Sequence, residues 1–150
     1  MSSQILTFKG RNSLNLLKRC WAIRKKVFIE EQNVPEEEEL DSRDNEAVHF
    51  LLTANEKDIG TCRVRHIAPF VLKVERVAII KEYRGLGYGK LLMKYVEKYS
   101  RENKIKKLVL NSQLHVKDFY EQLGFISDTN NIVFYEAGIP HIKMEKVINL

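Results

Sequence analysis

Apolar and polar positions change period several times along this chain, and each change marks an element. Ile5-Leu6-Thr7-Phe8 reads as a short strand, after which Ser13 is placed to cap a helix whose Leu14, Leu17, Trp21 and Phe28 recur near helical spacing. That helix is expected to end near Glu31, because Asn33-Val34-Pro35 breaks the pattern. Glu36–Glu39 then form a charged loop or short surface helix, read either as a solvated segment or as a mobile lid over a substrate. Residues 47–54 and 59–66 alternate as two strands around Asn55-Glu56-Lys57-Asp58, and residues 70–80 supply a third after Pro69. From Lys90 the period becomes helical, with Leu91, Leu92, Tyr95, Val96 and Tyr99 on one face. Residues 107–111 return as a strand, which implies a parallel crossover beside the third meander strand. Residues 115–123 make a second short helix closed by Gly124, and Phe134-Tyr135 with residues 142–147 finish the sheet as an antiparallel pair around Gly138-Ile139-Pro140. The fold class is α/β with a mixed sheet.

At 150 residues, with 44% hydrophobic positions, the chain has material for one core, so a single domain over 1–150 is expected. Cys20 and Cys62 have no metal-ligand spacing and read as reduced thiols of a cytoplasmic protein. No apolar run approaches a bilayer span and residues 1–9 lack the order of a secretory signal, so neither a membrane nor a leader is expected. The net charge of +5 is uneven: between Ile29 and Glu46 nine carboxylates face Arg43 alone, which leaves the rest of the chain strongly basic. Its lysines are scattered without aromatic interleaving or a reader motif, which argues against nucleic acid. A basic body suits a polyanionic small molecule.

Candidate chemistry concentrates in Arg84-Gly85-Leu86-Gly87-Tyr88-Gly89-Lys90, which joins the apolar run of residues 74–80 to a helix. Glycines there strip side chains from the helix opening and let backbone N–H groups converge on an anion. A nucleotide-hydrolysing loop would need Ser or Thr after Gly89-Lys90, where Leu91 stands, and a dinucleotide fingerprint would need glycine at position 90. What remains, arginine-X-X-Gly-X-Gly after a strand, resembles motif A of the GNAT superfamily of acetyl-CoA-dependent N-acetyltransferases. Val77-Ala78-Ile79 before the loop, the strand Lys107-Leu108-Val109-Leu110-Asn111, and Asp118-Phe119-Tyr120-Glu121-Gln122-Leu123-Gly124-Phe125 resemble further segments of that family in order and spacing. Residues 24–41 and Glu136-Ala137-Gly138-Ile139-Pro140-His141-Ile142-Lys143-Met144 resemble a bacterial-type subgroup, so the likeness spans nearly the whole chain.

That resemblance implies a mostly antiparallel mixed sheet with flanking helices and a splayed parallel pair, whose unpaired backbone groups meet the pantetheine of acetyl-CoA. It implies no metal, direct attack by an amine in a ternary complex, and a homodimer. Coenzyme contacts are expected from Val77, Ala78, Ile79, Arg84, Gly85, Leu86, Gly87, Tyr88, Gly89, Lys90, Asn111, Lys117 and Tyr120, with an N–H at Ala78 or Ile79 facing the oxyanion. By the same analogy Tyr120 protonates the departing thiolate. Glu75 is the candidate base or ammonium holder, two residues before Val77 on one strand face, as in glucosamine-phosphate acetyltransferases; Arg76 departs from their pattern, which has aspartate there. His49, His115 and His141 are alternative bases, His141 foremost as a residue bordering the acceptor. Arg24, Arg63 and Arg65 are candidates to clamp an anionic acceptor, since guanidinium matches phosphate in shape. Glucosamine 6-phosphate is the expected acceptor; another small amine or polyamine, a protein amine, and a non-catalytic coenzyme-binding regulator stand as alternatives.

Overall fold

Two compact units divide the chain in this computed structural model, which describes residues 2–149. The first holds the described residues up to Arg65 together with Arg76–Val96; the second holds His66–Glu75 and the described residues from Glu97.

In the first unit β1 (Ser3–Lys9), β2 (Val48–Ala54) and β3 (Lys57–Ala68), the last as far as Arg65, run antiparallel, with Leu6 opposite Leu51 and Phe50 opposite Cys62. α1 (Leu14–Arg24) begins at the expected cap, where the Ser13 hydroxyl oxygen accepts from the Leu16 N–H at 3.2 Å. It widens into a π-helical stretch, Lys25–Glu31, that sequence spacing did not separate from the α-helix. Pro35 disfavours helical geometry at Val34, whose N–H instead bonds back to Phe28 O at 2.9 Å. Cys20, Ile23 and Val27 present one buried face to Leu51 and Ala78, with Phe8, Phe28 and Ile80 packed around them. Both cysteines are free and buried, and burial pushes the Cys20 thiol up to about 11. The four glutamates form a single turn, α2 (Glu36–Glu39).

The second unit contains the parallel pair. Here β4 (Val71–Ile79), whose residues up to Glu75 belong to this unit, meets β5 (Lys107–Gln113) from Val71 opposite Lys107 to Val74 opposite Leu110, as the strand-helix-strand order around α3 (Tyr88–Glu102) predicts. β5 pairs antiparallel with β8 (Ile139–Val147), whose other edge carries β6 (Ile126–Ser127) and β7 (Val133–Glu136). α4 (Lys117–Gln122) closes at Gly124, φ +94°, with Phe125 N–H bonding back to Tyr120 O. The sheet is therefore mixed, with one parallel pair, as the pattern implied. Among the described residues no helix is long and apolar enough to cross a membrane.

Candidate functional site

β4 is followed by a 3₁₀ turn, Lys81–Tyr83, and then by the glycine loop. Gly85 and Gly87 sit at φ +76° and +88°, conformations that L side chains rarely adopt, so the glycines are required by the turn itself. A Cβ at either position would meet nothing within 4 Å, so that face of the loop is open. α3 opens at Tyr88, two residues earlier than the apolar period suggested, and Leu91 N–H bonds to Gly87 O at 3.0 Å. Amides of the first turn ahead of Leu91 have no carbonyl one turn back, and the helix dipole adds positive potential. An exposed, glycine-rich helix opening of this kind has the donors and the potential that suit an anion.

Arg84, expected among the anion's ligands, is engaged elsewhere. Its Nε donates to Ile79 O and its two Nη donate to the carboxylate of Glu31, all at 2.8 Å. The side chain thus anchors the loop to β4 and to the π-helical stretch. Tyr83 and Tyr88 brace the loop edge-to-face, ring centroids 6.0 Å apart.

The β4–β5 ladder closes at Val74–Leu110, and both strands continue past it. In the first unit, Ala78 turns into the core while Val77 and Ile79 are half-buried. Gly60 is needed beside this segment, because a Cβ there would lie 2.6 Å from Ile79 Cδ1.

The largest departure from expectation concerns Arg24 and Arg63. Both are buried, at 1% and 0% exposure, and both face carboxylates of the same unit. Arg24 forks onto Glu39 and reaches Asp44 Oδ1 at 2.8 Å; Arg63 forks onto Asp41 at 2.9 and 2.5 Å and reaches Asp44 Oδ1 at 2.9 Å. Held by carboxylates of the same unit and shut off from solvent, neither guanidinium is presented to an acceptor phosphate in this structure. Burial pushes Asp41 and Asp44 up, but the arginines outweigh it: Asp41 falls to about 2, and Asp44, which also accepts from Trp21, lies lower still. The acidic segment is therefore pinned from inside at Glu39, Asp41 and Asp44, while Glu36, Glu37 and Glu38 stay exposed. It is neither a purely solvated loop nor an unattached lid. Arg65, two residues along β3, is half-buried. Buried His49 has its Nε2 2.8 Å from Asp44 O, and burial lowers its pKa.

In the second unit Glu75 is 11% exposed and lies 3.5 Å from the Lys73 ammonium. Tyr120 is buried, its ring edge-on to Phe119 and Phe125 at 5.0 and 5.8 Å. Asn111 Nδ2 donates to Glu136 Oε1 at 2.9 Å, and the same carboxylate lies 4.0 Å from His141 Nε2. His141 Nδ1 bonds to Ile139 O at 2.7 Å and its ring stacks on Phe134. Lys117, half-buried, opens α4. His115 is exposed in the preceding turn. Sequence reasoning missed Glu31, Glu39, Asp41, Asp44 and Glu136; the one available signal was the excess of carboxylates in residues 29–46, which has no counterpart at Glu136.

Comparison with known proteins bears on the family and the fold. A profile describing an acetyltransferase (GNAT) domain matches residues 17–148. The Bacillus subtilis (strain 168) protein YjcF, named an uncharacterized N-acetyltransferase, is 36% identical over 132 residues, covering 87% of this chain and 91% of YjcF. Protein ElaA of Escherichia coli (strain K12) is 30% identical over 142 residues, 91% of this chain and 90% of ElaA. The crystal structure of Escherichia coli ElaA superposes with a TM-score of 0.85 at 26% identity, covering 97% of this chain and 99% of that one. An acyl-CoA N-acyltransferase from Pseudomonas aeruginosa shares the fold, with a TM-score of 0.85, 24% identity, and coverage of 97% and 99%.

Proposed function

The chain belongs to the acetyltransferase (GNAT) family, and on that premise we propose that it transfers acetyl from acetyl-CoA to a primary amine by direct attack in a ternary complex. The observation that carries this reading is the open loop at Gly85 and Gly87 ahead of α3. Its amides suit a pyrophosphate, which spreads negative charge over several oxygens and needs several converging donors. Bound acetyl-CoA supplies the activated acyl group. The backbone of Val77, Ala78 and Ile79 takes the pantetheine amides, and an N–H at Ala78 or Ile79 stabilises the tetrahedral oxygen. Glu75 holds the incoming ammonium or takes its proton. Tyr120 returns a proton to the thiolate, since phenol and thiol acidities are close enough for transfer.

On this reading Tyr120→Phe lowers turnover by about 10²-fold, within the range for losing a general acid, while acetyl-CoA affinity stays within about twofold. Steady-state kinetics beside calorimetry separate the two quantities. Unchanged turnover would remove the acid role.

For the acceptor, glucosamine 6-phosphate is supported by Glu75 standing before Val77-Ala78-Ile79, but the internal engagement of Arg24 and Arg63 removes two of the three arginines expected to clamp its phosphate. A polyamine is supported by the exposed carboxylates of Glu36, Glu37 and Glu38. Thiol release from acetyl-CoA across amino-sugar phosphates, amino sugars, polyamines and peptides decides among them. Tight coenzyme binding with no release on any amine would instead favour a regulator.

A further inference from the structure

Arg76 is the one residue of β4 with a positive φ, +57°. A bulky non-glycine residue rarely takes this conformation, and it persists only where the surroundings impose it. What imposes it here is visible in its own side chain. Arg76 Nη2 donates to Glu39 O at 3.0 Å and Glu38 O at 3.2 Å and reaches Asp41 Oδ2 at 3.4 Å, while Nε lies 3.7 Å from Glu39 Oε1. Those acceptors are themselves immobilised, since Glu39 is held by Arg24 and Asp41 by Arg63. Arg76 Nε is buried without a hydrogen-bond partner, so the side chain is not placed where its own hydrogen bonding would be best. The anchor holds the side chain at one end, and the strand takes up the turn at the other.

A left-handed residue within a strand alters the direction of the peptide groups that follow it, as a bulge does. Directly after Arg76 come Val77, Ala78 and Ile79, whose far end is fixed by Arg84 donating to Ile79 O and by Ile80 N–H bonding to Ile59 O at 2.9 Å. The direction in which the Ala78 and Ile79 amides point is thus set between two arginine anchors.

We infer that Arg76 is a positioning residue for acyl transfer: its guanidinium, seated on the pinned segment of residues 38–41, holds the left-handed turn of β4 that aims the oxyanion-binding amide. This rests on the reading that an N–H at Ala78 or Ile79 receives the thioester oxygen. Arg76 touches no reactant, and the glycine loop that binds pyrophosphate does not depend on it. The acidic segment accordingly belongs to the scaffold of the reaction centre.

Glycine and alanine at position 76 separate this role from a merely structural one. Arg76→Ala removes the anchor and disfavours φ +57°, so the backbone relaxes and kcat falls by about 10²-fold, the loss seen when an oxyanion donor is misplaced. Its acetyl-CoA dissociation constant by calorimetry stays within about threefold. Arg76→Gly also removes the anchor but accepts left-handed φ without penalty, so kcat recovers at least about tenfold over alanine. Crystal structures of both variants give the φ at position 76 independently of activity. Equal kcat for alanine and wild type, equal impairment of alanine and glycine, or an alanine variant that keeps φ near +57° would each overturn the inference. Failure of the wild-type protein to bind acetyl-CoA would instead sink the transferase reading, and the crystallographic arm would still decide the role of Arg76.

Discussion

Gly87→Val will weaken acetyl-CoA binding by at least about a hundredfold. Two causes act together. At φ +88° a β-branched side chain is strained, so the loop must shift, at a cost of about 1–3 kcal/mol. The new side chain also projects into the open face of the loop, since nothing lies within 4 Å of a Cβ there, and so takes the space an anion would fill. Hydrogen bonds to a charged group contribute about 1.5–3 kcal/mol each, and loss of two reaches a hundredfold in dissociation constant. Gly138→Val is the matched control, because Gly138 has φ +74° and equally empty surroundings in the β7–β8 turn. It shares the backbone strain and should leave coenzyme affinity unchanged. Calorimetry on both variants distinguishes ligand exclusion from strain, and a Gly87→Val protein that binds acetyl-CoA as tightly as wild type would mean the loop is not the phosphate cradle.

What could be read from residues alone follows from how local each signal is. Gly85 and Gly87 were legible because their backbone angles select glycine directly, and the strand-helix-strand order around them follows from a change of period. Ser13 was legible as a cap for the same reason, its hydroxyl bonding three residues ahead. Residues 25–31 were not recognisable as π-helical, since apolar spacing over seven residues does not separate two helix types. β6, two residues long, has no period to detect. Arg24 and Arg63 show the larger limit: a guanidinium suited to phosphate is equally suited to a carboxylate, and the carboxylates that capture them lie 15 to 22 positions away along the chain. Arg76 was hidden more deeply, because arginine is not a residue whose type announces a left-handed backbone.

Those same captured arginines make Asp44 the position where one substitution should cost most stability. Its Oδ1 accepts from both Arg24 and Arg63, its Oδ2 from Trp21 Nε1 at 2.9 Å, and its main-chain O lies so close to Gly10 that a Cβ there would sit 1.9 Å from it. Asp44→Ala leaves two buried guanidiniums each short of a partner, with Glu39 and Asp41 remaining. Removing one member of a buried ion cluster strands the others, and we expect a loss of about 3–5 kcal/mol at pH 7 by urea denaturation. The acid dependence tests the cause. Burial raises the Asp44 pKa, but the hydrogen bonds and charge of Arg24, with Trp21 and Arg63, overcome it and hold the folded-state value well below that of the unfolded chain. A depressed carboxylate contributes fully above its unfolded pKa of about 3.9, and the contribution is lost as pH falls toward the folded value. The stability gap between wild type and Asp44→Ala should therefore stay level from pH 7 to about pH 5 and narrow by roughly 1 kcal/mol by pH 3. A gap that widened on acidification would show that the carboxylate is not what holds the two arginines, and with them the segment on which Arg76 is seated.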